Sequence, residues 1–512
     1  MKVTHRLVLV ALIAGLCLSA ALECSAATLP NIIIILADDI GYGDFACYGA
    51  TRVKTPNVDR VAREGIRFTD AHATASVCTP TRYSLITGQY AWRNPAGASI
   101  LNGEAPLAID PAKPTTPSLL RQAGYVTGLV GKWHIGLGRG GIDFNTEIKP
   151  GPLEVGFDYA FFFPATGDRV PCVFIENHQV VGLDPNDPIR VSYKGKIGDD
   201  PIGKEHPELL TMRPSHGHAD TIVNGISRIG FMSGGKTARW KDEEMADTLT
   251  GKAVAFIERN RERPFFLYLA THDIHVPRVP SQRFRKTSGC GVRGDAIQEF
   301  DGCVGQILTT LERLKLADGT LLIVTSDNGG EMDDGYADGA VEDANGHRCN
   351  GPLRGYKGSI WEGGNRVPFL ARWPGRIKPG SESAELIGLV DMLATCSAVA
   401  GCSLPPNAGP DSFNVLPAML GEARGRPVRD YLVVQSYSAQ QLALRQSSWK
   451  FIPGEADRKK AGQPTIAGAG AQLFNLADDL GETKNVASRH PDIVKELSAL
   501  LEQARGDSRA QR

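Results

Sequence analysis

From Asn31 the chain runs Asn-Ile-Ile-Ile-Ile-Leu and then turns polar at Ala37-Asp38-Asp39. A continuous, β-branched run of that length without alternation predicts a strand buried on both faces. The same grammar returns three times. Tyr125 to Val130 leads into Gly131-Lys132-Trp133-His134, Phe265 to Ala270 into Thr271-His272-Asp273-Ile274-His275, and Leu321 to Thr325 into Ser326-Asp327-Asn328-Gly329-Gly330. Each run predicts a strand that delivers charged or imidazole side chains at its carboxyl end, which is where open parallel α/β sheets bind ligands. Between these runs Asn57 to Glu64, Thr116 to Ala123, Asp247 to Asn260 and Ile297 to Leu314 carry apolar residues three and four apart and predict helices. The alternation implies an α/β fold with a large, mostly parallel central sheet covered by helices.

The pattern changes after about Gly421. Tyr431 to Gln435, Gln441 to Arg445, Trp449 to Ile452 and Gln472 to Asn475 are short strand-like runs, Ile493 to Ala504 is an amphipathic helical run, and Gly454 to Gly470 reads as a flexible loop. Residues 28–421 are therefore expected to form the main domain and 422–512 a C-terminal subdomain. Within the first, about 180–246 is long for a connection and carries His216, Gly217, His218 and the run Ser233-Gly234-Gly235-Lys236. Insertions of that length are lids or disordered segments, and a substrate-selecting lid is the expectation.

Residues 1–27 stand apart from this organisation. Lys2, His5 and Arg6 precede an apolar run from Leu7 to Leu22, and Ser25-Ala26-Ala27 suits signal peptidase, so an exported, periplasmic or secreted protein is expected. The run is short for a stable membrane span, and no second one follows. Lys plus Arg, 56, nearly cancels Asp plus Glu, 57, which leaves no net field for nucleic acid or bulk membrane. Ten cysteines fall to eight after cleavage of that segment. Export permits disulfides, with Cys290/Cys303 and Cys396/Cys402 as candidate pairs and buried free thiols as the alternative.

Asp38, Asp39, Asp327 and Asn328 offer only hard oxygen donors, a set suited to Ca2+, with Mg2+ possible, rather than to Zn2+. Taken singly, Asp-Asp at a strand end is equally a loop or helix cap. Two such pairs at the ends of separate strands point to one divalent ion. Between them lies Cys78-Thr79-Pro80-Thr81-Arg82. If this segment opens a helix, Arg82 shares a face with Cys78 one turn away, and Pro80 in the first turn costs little.

Cys-x-Pro-x-Arg followed by an apolar stretch, with the two oxygen-donor pairs on either side, resembles the type I sulfatases of the alkaline-phosphatase-like superfamily, in particular the arylsulfatase and N-acetylgalactosamine-6-sulfatase-like members. The resemblance implies an alkaline-phosphatase-like sandwich with a small C-terminal antiparallel sheet, matched by Trp449-Lys450-Phe451-Ile452 and Leu473-Phe474-Asn475-Leu476. It implies that a sulfatase-maturing enzyme oxidises Cys78 to formylglycine, which joins Asp38, Asp39, Asp327 and Asn328 around the ion. Arg82 would hold the aldehyde hydrate, and Lys132 and Lys357 would grip sulfate. Asp327 would help deprotonate the attacking hydroxyl, giving a sulfo-enzyme, while His275 and Lys357 protonate the departing alcohol. His134 would then deprotonate the second hydroxyl and expel sulfate.

Substrate contacts are expected from Thr166, Asp168 and Arg169, which follow a Gly-Phe-Asp motif, from His216 and His218, and from His272 at the rim or orienting the site. The expected substrate is a sulfated saccharide, or an aryl sulfate in assays. Two rival readings are a phosphonate or phosphodiester hydrolase of the same superfamily and a catalytically inactive glycan-binding relative. The second is disfavoured because every expected position is filled.

Overall fold

A computed structural model describes residues 29–423, 425–454 and 470–506. The expected signal segment and nearly all of the 454–470 loop lie outside the described residues. The main sheet has ten strands: β1 (Asn31–Ala37), β2 (Ile66–Phe68), β3 (Val126–Lys132), β4 (Tyr159–Phe163), β5 (Ile175–Glu176), β6 (Gln179–Val180), β7 (Phe265–Ala270), β8 (Thr320–Ser326), β9 (Phe369–Arg372) and β10 (Ser381–Ser383). Their spatial order is β10-β2-β9-β8-β1-β7-β3-β4-β5-β6. The middle of the sheet, β8-β1-β7-β3-β4, is parallel, and antiparallel pairs extend it on both sides.

β1 lies at the centre because its apolar run tolerates neighbours on both edges and both faces. All seven residues are buried, and Ile34 stands in register with Tyr268 on one side and Ile323 on the other. That register places the ends of β1, β7 and β8 together. β3 runs two residues beyond its apolar stretch to include Gly131 and Lys132.

The expected helices form as α1 (Pro56–Glu64), α3 (Thr116–Gln122), α4 (Met245–Arg259) and α5 (Gly291–Arg313), with α2 (Cys78–Thr87) between the first two. α5 begins six residues before its apolar period. The early turn is held by a polar contact: Arg293, buried, sets Nη1 and Nη2 at 2.5 and 2.6 Å from the two oxygens of Asp44. Charge pairing of this kind leaves no hydrophobic signal.

The C-terminal chain forms a separate antiparallel sheet, β11 (Leu432–Gln435), β12 (Leu442–Gln446), β13 (Trp449–Ile452) and β14 (Gln472–Asn475), with terminal helix α6 (Pro491–Gly506) placing Leu497 and Leu501 in the same small core. Together with the main sheet this is the architecture the sequence predicts.

Of the two alternatives for the candidate pairs, the structure has the free thiols: Cys290, Cys303, Cys396 and Cys402 are all unpaired. Cys290 caps α5 and Cys303 lies within it. Thirteen helical steps separate them by about 19 Å, several times the Cα spacing a disulfide needs. Cys396 is buried in the helix Met392–Val399, whereas Cys402 lies beyond its end and its thiol faces the Ala400 carbonyl at 3.7 Å.

Candidate active site

Four strand ends and one helix start converge on a single buried cluster. β1 delivers Asp38 and Asp39, β8 delivers Asp327 and Asn328, β3 ends on Lys132 with His134 two residues on, and His275 follows β7; all are buried. α2 starts on Cys78 itself, and every one of its residues is buried. Thr79 anchors this start by donating to the His134 carbonyl at 2.9 Å. The thiol lies 3.9 Å from Asp38 Oδ1.

Three cations face the carboxylates. Arg82, one turn along α2, donates to Asp327 Oδ2 from Nε (3.0 Å) and Nη2 (2.6 Å) and to the Lys132 carbonyl from Nη1 (3.2 Å). Lys132 Nζ bridges both oxygens of Asp38 at 2.8 and 2.7 Å. Lys357 Nζ donates to Asp39 Oδ2 at 2.8 Å and to Asp334 Oδ2 at 2.7 Å. His275 Nε2 lies 3.8 Å from Asp39 and 3.7 Å from Asp334.

Burial dominates the electrostatics and the cations redistribute it. Desolvation lifts Asp38 to about 8 against the pull of Lys132. The same desolvation acts on Asp39 and Asp327, but Lys357 on the first and Arg82 on the second outweigh it and leave both carboxyls below their ordinary value. Burial pushes the Cys78 thiol up to about 12, so at neutral pH it is a protonated and weakly nucleophilic group. Burial opposes the charge on Lys357, yet Asp334 and Asp39 hold it well above its usual value.

The two histidines are both neutral in these surroundings, for related reasons. Burial, then Lys132 and Arg169, drive His134 well below the usual imidazole range; burial, then Lys357 and Lys132, do the same to His275. His134 Nε2 sits 2.9 Å from the Leu101 carbonyl, which can only accept, so Nε2 carries the hydrogen. Nδ1 is left as a buried lone pair with no partner. His275 is the mirror case, with Nδ1 donating to the Val276 carbonyl at 2.8 Å and Nε2 turned toward Asp39 and Asp334.

The donor set fits a hard divalent cation. Asp38, Asp39, Cys78 and His275 offer ligand atoms within 4.8 Å of one another. Beside them Asn328 keeps a buried Oδ1 with no hydrogen-bond partner while its Nδ2 donates to Asp39 at 2.7 Å. Two clustered carboxyls, an orphaned amide oxygen and the carboxyl of Asp327, whose Oδ1 accepts from the Asp39 N–H at 3.2 Å, are oxygen ligands of the kind a Ca2+ or Mg2+ ion takes.

A cleft of about 210 Å³ opens onto this cluster, lined by Cys78, His134, His275 and Lys357, by Asp168, Arg169 and His218, and by Asp334, Glu331 and Tyr437 among others. A larger cleft of about 740 Å³ lies around Arg285, Lys286 and Asp343. It contains none of the clustered groups, so chemistry rather than volume selects the smaller one. In the smaller cleft Asp168 forms the hub of the wall. It accepts from Thr166 and from Arg169 Nη1 (3.1 Å), and its Oδ2 lies 2.8 Å from His218 Nε2.

Three expected substrate contacts are placed elsewhere. Thr166 is buried and spends its hydroxyl on Asp168. His216 is turned to solvent beside Asp333, 3.8 Å away. His272 is not at the rim: it packs edge-on against Phe163 and lines a small internal space with Asp242, Asp273 and Glu299, where burial lowers it to about 4. Sequence reasoning missed Asp334 and Tyr437. The acidic run Glu331-Met332-Asp333-Asp334 just after Asp327-Asn328 is a signal for the first, whereas Tyr437 lies far along the chain, just past β11.

The family profile described as Sulfatase matches residues 30–402, and the chain belongs to that family. Among curated relatives, the N-acetylgalactosamine-6-O-sulfatase of Bacteroides thetaiotaomicron is 50% identical over 477 residues, covering 92% of each protein. Human arylsulfatase A is 31% identical over 509 residues, covering 95% of this chain and 90% of that protein. A Bacteroides thetaiotaomicron sulfatase solved in work on the metabolism of multiple glycosaminoglycans superposes with a TM-score of 0.89 at 48% identity, over 95% of this chain and all of that one. The protein is thus an enzyme of the sulfatase type, a hydrolase of sulfate esters with the alkaline-phosphatase-like fold.

Proposed function

We propose that the protein removes the 6-O-sulfate of N-acetylgalactosamine or a closely similar sulfated sugar, after conversion of Cys78 to formylglycine and with Ca2+ held by Asp38, Asp39, Asp327 and Asn328. The observation that carries the sugar reading is the Asp168–Arg169–His218 wall in the same cleft as Cys78, a directional set of donors and acceptors that a bare sulfate does not require. The 50% identity to a sulfatase named for that sugar supports it.

Hydrated formylglycine supplies a hydroxyl nucleophile and a second hydroxyl through which sulfate can be expelled, a chemistry that the protonated Cys78 thiol lacks. A bound divalent ion supplies positive charge beside the sulfate oxygens. The chain's own groups do the rest. Arg82, Lys132 and Lys357 place fixed cations where charge accumulates, at no cost in reorganisation. Asp327, kept ionised by Arg82, accepts a hydrogen bond from the attacking hydroxyl. Lys357 carries the available proton for the departing alcohol, and His275, whose Nε2 lies 3.8 Å from Asp39 and 3.7 Å from Asp334, is assigned to the same step. His134 Nδ1, already a free lone pair, takes the proton whose removal releases sulfate.

The amino-terminal pattern supports export to the periplasm or outside, with a sulfatase-maturing enzyme as the transient partner of the Cys78 segment. Among the described residues no helix is long and apolar enough to cross a membrane. Residues of the 180–246 stretch reach the cleft through His218 and Ile229, which supports a lid role for it.

The test is a panel of defined sulfated monosaccharides, aryl sulfate, and phosphate mono- and diesters, run before and after chelation. Preferred turnover of 6-sulfated N-acetylgalactosamine, lost on chelation and restored by Ca2+, is expected. Undiminished turnover by protein that elemental analysis finds metal-free refutes the metal assignment, and preference for phosphodiesters refutes the sulfate assignment.

A further inference from the structure

Among the described residues that line the catalytic cleft, Tyr437 is the only large hydrophobic side chain that is itself strongly exposed, at 56%. It comes from the C-terminal subdomain, just past β11, and a short series of backbone bonds fixes its place. Ser76 N–H donates to the Gln435 carbonyl (2.9 Å), Gly358 N–H to the Ser76 carbonyl (2.7 Å), and Tyr437 N–H to the Gly358 carbonyl (2.9 Å). Those bonds tie the tyrosine to the segment two residues before Cys78 and to the residue after Lys357. Gly358 itself sits at φ +82°, a backbone conformation that residues with a side chain rarely adopt.

An aromatic ring left in water at a fixed place beside a reactive centre costs hydration free energy unless something covers it. Within the cleft the Cys78 end is lined by Lys357, His134 and His275 and the wall by Asp168, Arg169 and His218, so the ester and the hydroxyls of the sulfated sugar have partners. At about 210 Å³ the cleft falls below the usual range for a drug-sized ligand, so one sulfated sugar takes up most of it. The next sugar of an oligosaccharide is therefore placed toward the lip, where the ring stands. A pyranose has an apolar C–H face that packs on an aromatic ring, and Tyr437 is the one carbocyclic aromatic ring among the described residues of the cleft, whose other apolar lining is the aliphatic Val77, Ile100 and Ile229.

We infer that Tyr437 is the binding platform for the sugar residue linked to the sulfated one, so that the C-terminal subdomain gives the enzyme a preference for sulfated oligosaccharides over the sulfated monosaccharide. This rests on the carbohydrate reading above. The ring acts on binding and takes no part in bond cleavage.

The experiment compares kcat/KM on N-acetylgalactosamine 6-sulfate and on a disaccharide carrying that residue at its non-reducing end, for the wild type, Tyr437→Ala and Tyr437→Phe. The disaccharide-to-monosaccharide ratio should fall roughly tenfold in Tyr437→Ala, mostly through KM, and stay near the wild-type ratio in Tyr437→Phe, which keeps the ring. An unchanged ratio in Tyr437→Ala, in protein with the wild-type melting temperature, overturns the platform while leaving the carbohydrate reading intact. A wild type that hydrolyses aryl sulfate but neither sugar overturns the carbohydrate reading and the platform with it.

Discussion

At the scale of single residues, the tautomers of two histidines divide the proposed reaction into steps. His134 offers a free Nδ1 because Nε2 is committed to the Leu101 carbonyl. His134→Ala should therefore permit the first half of a turnover and block the second: one equivalent of alcohol released per enzyme, sulfate release slowed by roughly 10²-fold or more, as quenched-flow measurement of both products would reveal. Matched release of alcohol and sulfate would remove His134 from that role. The Asp168–His218 pair makes a pH prediction. Burial opposes the His218 charge, but Asp168 outweighs it and raises the imidazole above its ordinary value; Asp168 itself is held well below its own, with Arg169 and His218 overcoming burial. The raised histidine contributes stability that is full below about pH 6.5 and lost as pH rises through its higher folded value, and the depressed aspartate contributes above about pH 4 and loses it in acid. The gap in melting temperature between wild type and His218→Gln should be widest between these limits and close on the alkaline side.

At the scale of elements, the cluster is a property of strand ends. β1, β3, β7 and β8 were legible as apolar runs that stop abruptly at charged residues, and a parallel sheet brings such ends to one edge. The positions of Asp38, Asp39, Lys132, His275, Asp327 and Asn328 follow from that rule. Less legible were groups placed by loops. His272, three residues before His275, packs away from the cleft because the chain turns between them, and Asp334 reaches Lys357 across a loop whose course no periodicity encodes. The close of β3 also has a backbone requirement. Gly131 sits at φ +109°, and a Cβ there would lie 1.8 Å from the Ala270 carbonyl oxygen of β7. Gly131→Ala should lower stability by about 2 kcal/mol or more, read as a lower urea midpoint, and should displace Lys132 enough to depress activity in the fraction that folds.

At the scale of the molecule, a buried ionic cluster joins the two sheets. Glu362, fully buried, meets Arg445 of β12 at 3.0 Å and Lys450 of β13 at 3.0 Å, while Arg445 also meets Asp70 at 2.9 Å. Burial opposes the charges of Glu362 and Asp70, but Arg445 with its neighbours overcomes it and depresses both. Glu482 shares Lys450 at 2.9 Å, and burial raises its carboxyl above the ordinary value. Depressed carboxyls contribute above their unfolded values and lose that contribution as pH falls, so the joint should weaken progressively below about pH 4. Glu362→Gln leaves two buried cations short of a partner and should cost about 3–5 kcal/mol at neutral pH, measured by chemical unfolding. A cost under about 1 kcal/mol would mean that apolar packing, not charge, joins the sheets. No hydrophobic pattern foreshadows this joint, because its members are scattered charged residues that meet only after both sheets exist.

The backbone bonds running from Gln435 through Ser76 to Gly358 and Tyr437 carry a consequence in time. The stretch that seals the Cys78 segment is synthesised about 360 residues after it, an interval of roughly 20–70 s at ordinary rates of translation. In the finished molecule Cys78 is only 1% exposed, beyond the reach of any other protein. On the formylglycine reading proposed above, the enzyme that oxidises this thiol would have a deadline, set by the arrival of β11 rather than by its own speed, and a variant that folds its C-terminal sheet faster would leave a larger share of chains with the sulfur untouched.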